Sequence, residues 1–377
     1  MKPSPRKKIL ILTSETGGGH VSLADALREQ LEQTYHVEIV DPQPGIVHWH
    51  YRFVSRHALW LWAAEYRSSD TPEGALRAHR SFTALFTRNL SSVLRHSQPD
   101  LIVTTYPFLS YEVMAAMRSS GMQRPFTMLF ADAERVHHSW LTVRTASATF
   151  ATTRETYAQA LDAGFDAKRL HLCGWPVRRQ FHGDQSRQRS EVSTQLRLET
   201  GRFTVFVQGG GEGAARIART VDHLASIPGI QVILAAGTNR RLLARFQNAA
   251  HVHPLAFTRD IAQYMSAADV IMGKAGPNML MEAVTLGKPF IATTYIPGQE
   301  EGNLQFIRRH QLGWVALSAD DQIKLILELS TDTAKLASTR ESVAVYRRWN
   351  SASAATIPTL IELALGRQPQ EETVGAS

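Results

Sequence analysis

The chain has 377 residues, more than one ordinary core holds and enough for two domains. A formal charge of +7 and a pI near 9.6 favour anionic partners, whether phosphates, acidic lipid surfaces or nucleic acid, without choosing among them. The single cysteine, Cys173, excludes an internal disulfide and a cysteine metal cluster, and fits a reducing compartment as a small buried apolar residue. No apolar run reaches the roughly 18–20 residues that cross a bilayer. The expectation is a cytoplasmic protein that can still lie on a membrane.

The N-terminus, MKPSPRKKILILTSE, has an apolar run of only Ile9 to Leu12, too short for a signal-peptide core. Lys8–Thr13 therefore reads as a buried first strand. The helix after it places Ala24, Leu27 and Leu31 on one face. Val37–Val40 is the second strand, ending at Asp41-Pro42. Leu101–Thr105, Phe126–Ala131 and Thr149–Thr153 are three further strands. The polar stretch 182–201 reads as a linker followed by a lead-in helix. Alternation then restarts, with strands at Phe203–Val207, Gln231–Ala235, Ala268–Met272 and Pro289–Thr293 and helices at about 213–225, 239–248, 258–267 and 277–286. Such alternation predicts an α/β chain of two doubly wound parallel sheets, whose ligands sit at the carboxyl ends of the strands. The end, from about Arg367, is polar and reads as disordered.

Every glycine-rich motif falls directly after a predicted strand. Glu15-Thr16-Gly17-Gly18-Gly19-His20 follows the first. Its glycines allow close backbone approach, and His20 is the first reactive side chain, with an ordinary pKa suited to accepting a proton. Asp132 ends the strand Phe126–Ala131 and is a second candidate base; His137-His138-Ser139-Trp140 follows it. The adjacent histidines lack a third ligand at fitting spacing, so no metal site is expected. Val207-Gln208-Gly209-Gly210-Gly211-Glu212-Gly213 repeats the glycine device in the second half. Gly209, Gly211 and Ala214 fit a dinucleotide fingerprint, but the next strand ends Leu234-Ala235-Ala236-Gly237, without the acid that binds ribose. Nicotinamide and flavin cofactors are thereby disfavoured.

The stretch GKAGPNMLMEAVTLGKPFIATTYIPGQEEGN, residues 273–303, reads as strand end, glycine loop, helix, strand and polar turn. The loop Lys274-Ala275-Gly276-Pro277 is expected to offer backbone N–H groups and a helix N-terminus to a phosphate. Glu282 is placed to accept from ribose hydroxyls. Finally, His48–Tyr66 mixes Trp49, Phe53, Trp60 and Trp62 with Arg52 and Arg56. Trp49, Phe53, Trp60 and Ala64 fall near one helical face, and Arg67, Arg77, Arg80, Arg88 and Arg95 continue the basic character. This reads either as a core helix pair with an arginine-rich outer face or as an interfacial segment.

The order TGGGH, D-x(4)-H-x-x-W, GWPVR, VQGGGEG, KAGP and PGQEEGN resembles the monogalactosyldiacylglycerol synthases and related processive diacylglycerol glycosyltransferases, from Ile9 to about Val315. The resemblance implies a GT-B fold of two Rossmann-like domains. Residues 1–180 would bind the acceptor and face the membrane, with a helix at about 350–366 packing back on them. Residues 181–345 would bind a UDP-sugar, and 367–377 would be a tail. Gly209, Gly210, Gly211, Gly276 and Pro277 would lie near the diphosphate, Glu282 at the ribose, and Gln299 and Glu300 at the sugar. His20 or Asp132 would be the base, with Gly18, Gly19, His137 and Trp140 lining the acceptor cleft. Trp49, Arg52, Arg56, Trp60 and Trp62 would meet the anionic surface of a membrane, on its cytoplasmic face. The implied reaction is inverting hexose transfer, galactose or glucose, from UDP to diacylglycerol, with no metal, no cofactor and no nucleic acid. The alternatives are a UDP-N-acetylglucosamine 2-epimerase-type enzyme and a non-catalytic nucleotide-sugar-binding membrane protein. The chain departs from the family pattern at Asn278-Met279, where a small residue and then Thr or Ser is usual.

Overall fold

The computed structural model describes residues 6–16, 18–183, 185–208 and 214–367. Its strands are β1 (Lys8–Leu12), β2 (His36–Val40), β3 (Leu101–Thr104), β4 (Phe126–Leu129), β5 (Ala148–Ala151) and β6 (Leu170–Leu172), then β7 (Phe203–Gln208), β8 (Ile230–Gly237), β9 (Val252–Ala256), β10 (Val270–Lys274), β11 (Phe290–Thr294) and β12 (Gly313–Val315). The first six form one sheet in the order β2-β1-β3-β4-β5-β6, the last six another in the order β12-β11-β10-β7-β8-β9, and every pairing is parallel.

Helices of the first half are α1 (Gly19–Leu31), α2 (Gly45–His57), α3 (Leu59–Ser69), α4 (Pro72–Ser97), α5 (Ser110–Ser120), α6 (His138–Leu141) and α7 (Arg154–Asp162). Those of the second are α8 (Gln185–Leu196), α9 (Ala214–Ser226), α10 (Arg240–Phe246), α11 (Ile261–Ser266), α12 (Pro277–Thr285), α13 (Glu301–Arg309), α14 (Ala319–Thr331), α15 (Thr333–Ala354) and α16 (Ile357–Leu365). Helices cover the sheets, so the central strands are apolar without alternation; Ile9 to Leu12 are all fully buried. As the helical spacing predicts, Ala24, Leu27 and Leu31 of α1 are buried.

Three strands carry no sequence signal, and all three lie at sheet edges. β6 and β12 have three residues each, and β9 contains Pro254. An edge strand is half-buried and can dispense with ladder donors, so it needs neither length nor an apolar run. The polar stretch after 182 is mainly helix, α8, rather than linker first. The aromatic segment is a helix pair, and its aromatics do not share one face. The chain breaks at Ala58 (φ −145, ψ 54) between α2 and α3, so Trp49 and Phe53 lie on a different helix from Trp60 and Ala64. α4 then begins with Thr71 capping Gly74 N–H and Pro72 in its first turn. Gly74 is obligatory there, because a Cβ would stand 2.1 Å from the Ser68 carbonyl oxygen. Arg77, Arg80, Arg88 and Arg95 are all exposed on α4.

The chain divides into two compact units. The first comprises 1–178, 297–302 and 350–377, and the second 179–296 and 303–349. The turn 297–302 thus belongs with the first unit rather than with 181–345. A Cβ on Gly298 (φ +82) would meet the Tyr66 ring at 2.8 Å, and one on Gly302 would meet Glu134 at 3.1 Å. The tail 368–377 lies outside the described residues.

Candidate functional site

In the first sheet, β2 lies on one side of β1 and β3 on the other, so the strand order reverses between β1 and β3. Such reversals open a crevice at the carboxyl edge. His20 sits there, at the start of α1, and its Nδ1 is 2.7 Å from the Thr105 carbonyl oxygen that follows β3. A carbonyl only accepts, so Nδ1 carries the hydrogen and Nε2 keeps its lone pair. Burial lowers the imidazole pKa to about 4, against the Thr105 hydrogen bond, which raises it. The ring is edge-on to Tyr106 at 5.0 Å. Gly18 precedes α1 in the left-handed region (φ 75), and Gly19 begins it; Gly17 lies outside the described residues.

The loop before the glycines is held by Asp41, which ends β2. Its carboxylate accepts from Glu15 N–H at 2.6 Å and Gln43 N–H at 2.9 Å. Asp41 stands just after β2 as Asp132 stands after β4, a carboxylate at a strand terminus in each case.

Asp132 follows β4. Its Oδ2 accepts the Trp140 indole N–H at 3.1 Å. Burial raises its pKa to about 7, while the backbone of His137 and the Trp140 indole pull it down. Trp140 is fully buried and His137 is 3 % exposed, so neither forms an open cleft wall. They act from beneath. His137 caps α6, its Nδ1 accepting from Ser139 N–H at 3.1 Å, and burial lowers its pKa to about 4. His138 turns instead to Asp70, whose Oδ1 accepts from its backbone N–H and meets its Nδ1, both at 3.0 Å. Arg135 pairs with the same carboxylate. Burial pushes the Asp70 pKa up, but His138, His137 and Arg135 together hold it below the usual carboxylate value. Asp70 and Tyr66 had no sequence signal, since they end a helix far from the motif they support. Rings link the two candidate bases: His20 meets Tyr106, Tyr106 meets Phe108 at 6.1 Å, Phe108 meets His137 at 5.8 Å, and His137 meets Tyr66 at 4.6 Å.

The aromatic segment is exposed where it matters. Ile46, Trp49 and Phe53 line one side of α2, and Leu59 and Trp60 begin α3; Trp60 is 75 % exposed. Arg52 is exposed beside them, and the Arg56 side chain lies outside the described residues. Trp62 departs from the expectation: it is half-buried and edge-on to Tyr51 at 5.3 Å. Among the described residues, no helix is long and apolar enough to cross a membrane.

In the second sheet the order reverses between β7 and β10. Gly209, Gly210 and Gly211, after β7, lie outside the described residues. After β10, the turn differs from expectation. Ala275 N–H donates to the Thr294 carbonyl at 2.8 Å and Gly276 N–H to the Lys274 carbonyl at 2.7 Å, while Pro277 has no N–H. The turn uses its own donors, so a phosphate would meet the first turn of α12 instead. Gly276 is the N-cap of α12 and Pro277 opens it. The buried Asn303 amide donates to the Ala275 carbonyl at 2.8 Å and holds the turn. Met279 folds back over the end of β10, so that a Cβ on Gly273 would lie 2.7 Å from its thioether. Glu282 is buried on α12, at 8 % exposure. In the first unit's turn, Glu300 is buried and Gln299 Oε1 is a buried acceptor with no hydrogen-bond partner among the described residues.

Residues 20–177 match the family profile described as monogalactosyldiacylglycerol (MGDG) synthase, and residues 204–343 match the glycosyltransferase family 28 C-terminal domain. The first half of the chain is thus similar to the monogalactosyldiacylglycerol synthases and the second to glycosyltransferase family 28. A probable monogalactosyldiacylglycerol synthase of Nicotiana tabacum is 29 % identical over 338 residues, a match covering 83 % of this chain and 62 % of the relative. The chain therefore spans less than two thirds of that synthase. Among solved structures, the calicheamicin glycosyltransferase CalG4 superposes with a TM-score of 0.65 at 16 % identity, covering 97 % of this chain and 99 % of that one. A UDP-GlcNAc 2-epimerase from Neisseria meningitidis superposes with a TM-score of 0.60 at 13 % identity, covering 96 % and 100 %. These likenesses establish the GT-B fold. Both a glycosyltransferase and an epimerase are built on it.

Proposed function

We propose that the chain is an inverting glycosyltransferase that moves a hexose from UDP to the hydroxyl of diacylglycerol at a membrane surface. The observation that carries this reading is that one unit holds both the acid–base groups, His20 and Asp132, and an exposed aromatic face at Ile46, Trp49, Phe53 and Trp60. An epimerase acting on a soluble nucleotide sugar has no use for that face. Likeness to the synthase profile and to the tobacco synthase supports the same reaction.

In the mechanism, the acceptor oxygen attacks the anomeric carbon as its proton leaves, and UDP departs with the bonding pair. Asp132 is the better base, because its pKa of about 7 matches a neutral medium, whereas an imidazole at about 4 holds a proton weakly. His20 Nε2, which keeps its lone pair, accepts a hydrogen bond from a hydroxyl of the transferred sugar and orients it. The first turn of α12 meets the charge that develops on UDP, through its N–H groups and dipole. Glu282 binds ribose, and the Gln299 acceptor is suited to a sugar hydroxyl. No metal ion is needed for any of these steps, and the enzyme works from the cytoplasmic face.

The test is labelled UDP-galactose or UDP-glucose with diacylglycerol in mixed micelles and EDTA, with product mass determined. Labelled β-glycosyldiacylglycerol is expected. Release of free sugar without lipid product, a strict requirement for added divalent metal, or conversion of UDP-N-acetylglucosamine alone would each overturn the reading.

A further inference from the structure

Under the α6 loop lies a pair of ionisable residues that touches neither His20 nor Asp132. His79 on α4 and Glu112 on α5 are both fully buried, with Nδ1 and Oε1 2.9 Å apart. His79 Nε2 lies 3.1 Å from the Ser139 carbonyl oxygen, so that nitrogen carries the hydrogen and donates. Phe108 and Tyr111 pack on the ring at 5.5 and 5.3 Å. An apolar pair of similar volume would join α4 to α5 at least as well. What it would lack is an N–H aimed at that carbonyl.

We propose that the His79–Glu112 pair is a positioning device for Asp132. Glu112 bonds Nδ1 and fixes the ring, which presents Nε2–H to the Ser139 carbonyl. That carbonyl belongs to the peptide whose N–H, on Trp140, donates to the His137 carbonyl at 2.9 Å. Its orientation sets the Trp140 indole on Oδ2 of Asp132, while the Ser139 N–H and hydroxyl grip His137 Nδ1 at 3.1 and 2.7 Å. The two residues therefore act on the carboxylate through one peptide group. Asp70 and Tyr66 of α3, and Arg135 and His137 of its own loop, also face Asp132, and every variant below leaves them unchanged. The proposal rests on the reading of Asp132 as base only for its effect on turnover.

The experiment uses the full chain labelled with 5-fluorotryptophan. The Trp140 resonance is assigned by its loss in Trp140→Phe, and its titration with Asp132 by its loss in Asp132→Asn. In His79→Leu the midpoint of that titration should rise by about one unit, because a carboxylate that loses a hydrogen bond holds its proton longer. Turnover should fall about 10–100-fold with the UDP-hexose KM within twofold. Glu112→Gln, whose amide can donate to Nδ1 and keep Nε2–H, should behave as the parent, and Glu112→Leu as His79→Leu. A folded His79→Leu protein with an unmoved titration overturns the proposal. If His79→Leu does not fold, Glu112→Leu against Glu112→Gln decides it in the same way. A moved titration with unchanged turnover upholds the positioning role and removes Asp132 as base.

Discussion

After β1, β3 and β4 the chain places ionisable side chains at the edge of the first sheet; after β10 it places glycine, proline and backbone at the edge of the second. At the first edge burial drives each group toward its uncharged form, His20 and His137 down to about 4 and Asp132 up to about 7. At the second, the polar work near the turn is done by main chain: Ala275 and Gly276 close it, and one amide, Asn303, locks it. A reaction needs groups whose proton affinity the fold can tune. A diphosphate needs only donors at fixed places, which a helix start supplies whatever its side chains.

That contrast is broken first at Asp132. Asp132→Asn should lower turnover about 10²–10⁴-fold while UDP still binds, and the rise of rate with pH, centred near 7 in the parent, should vanish. A pH–rate profile with titration calorimetry for UDP checks both. At the second edge, Asn303→Ala strands the Ala275 carbonyl, a cost of about 1–3 kcal/mol. The melting temperature should fall and the donor KM rise roughly tenfold, with turnover at saturation nearly unchanged. Met279→Ser puts a hydroxyl in the first turn of α12, and UDP should bind roughly tenfold more tightly, the lower end of the worth of one hydrogen bond to a charged group; calorimetry reads it directly. The smallest effect is on stability against pH. His20 and His137 have folded pKa values below their unfolded value, so their contribution is complete above about 6.5 and is lost as pH falls toward 4. Asp132 acts in the opposite sense, its raised pKa eroding stability as pH rises from about 4 to 7. Melting curves of His137→Asn should show a weaker acid loss, and those of Asp132→Asn a higher Tm at pH 8 than the parent.

The same contrast explains what the sequence reveals. The central strands and α1 are legible because burial on both faces, or on one helical face, forces a pattern. β6, β9 and β12 are silent because edges need none. His20 and Asp132 are legible as reactive residues directly after strands. Asp70, Tyr66, His79 and Glu112 are not, for their roles depend on where α3, α4 and α5 come to rest, and only tertiary packing decides that. The Lys274–Pro277 loop reads correctly as a turn after a strand but wrongly as a source of N–H groups. Its donors are taken by carbonyls of Lys274 and Thr294, a pairing that no spacing announces.

One clamp in the first unit bears on how the protein is made. The side-chain amide of Asn350 pairs with the backbone of Trp175 in both directions, at 2.7 and 3.0 Å, and Gly174 (φ +69) has no room for a Cβ beside Ser353 and Ala354. Residues 175 positions apart thus meet in a single rung. A ribosome releases the six strands of the first sheet long before it reaches Asn350, so the nascent first unit must wait, unsealed, while the whole second unit is synthesised.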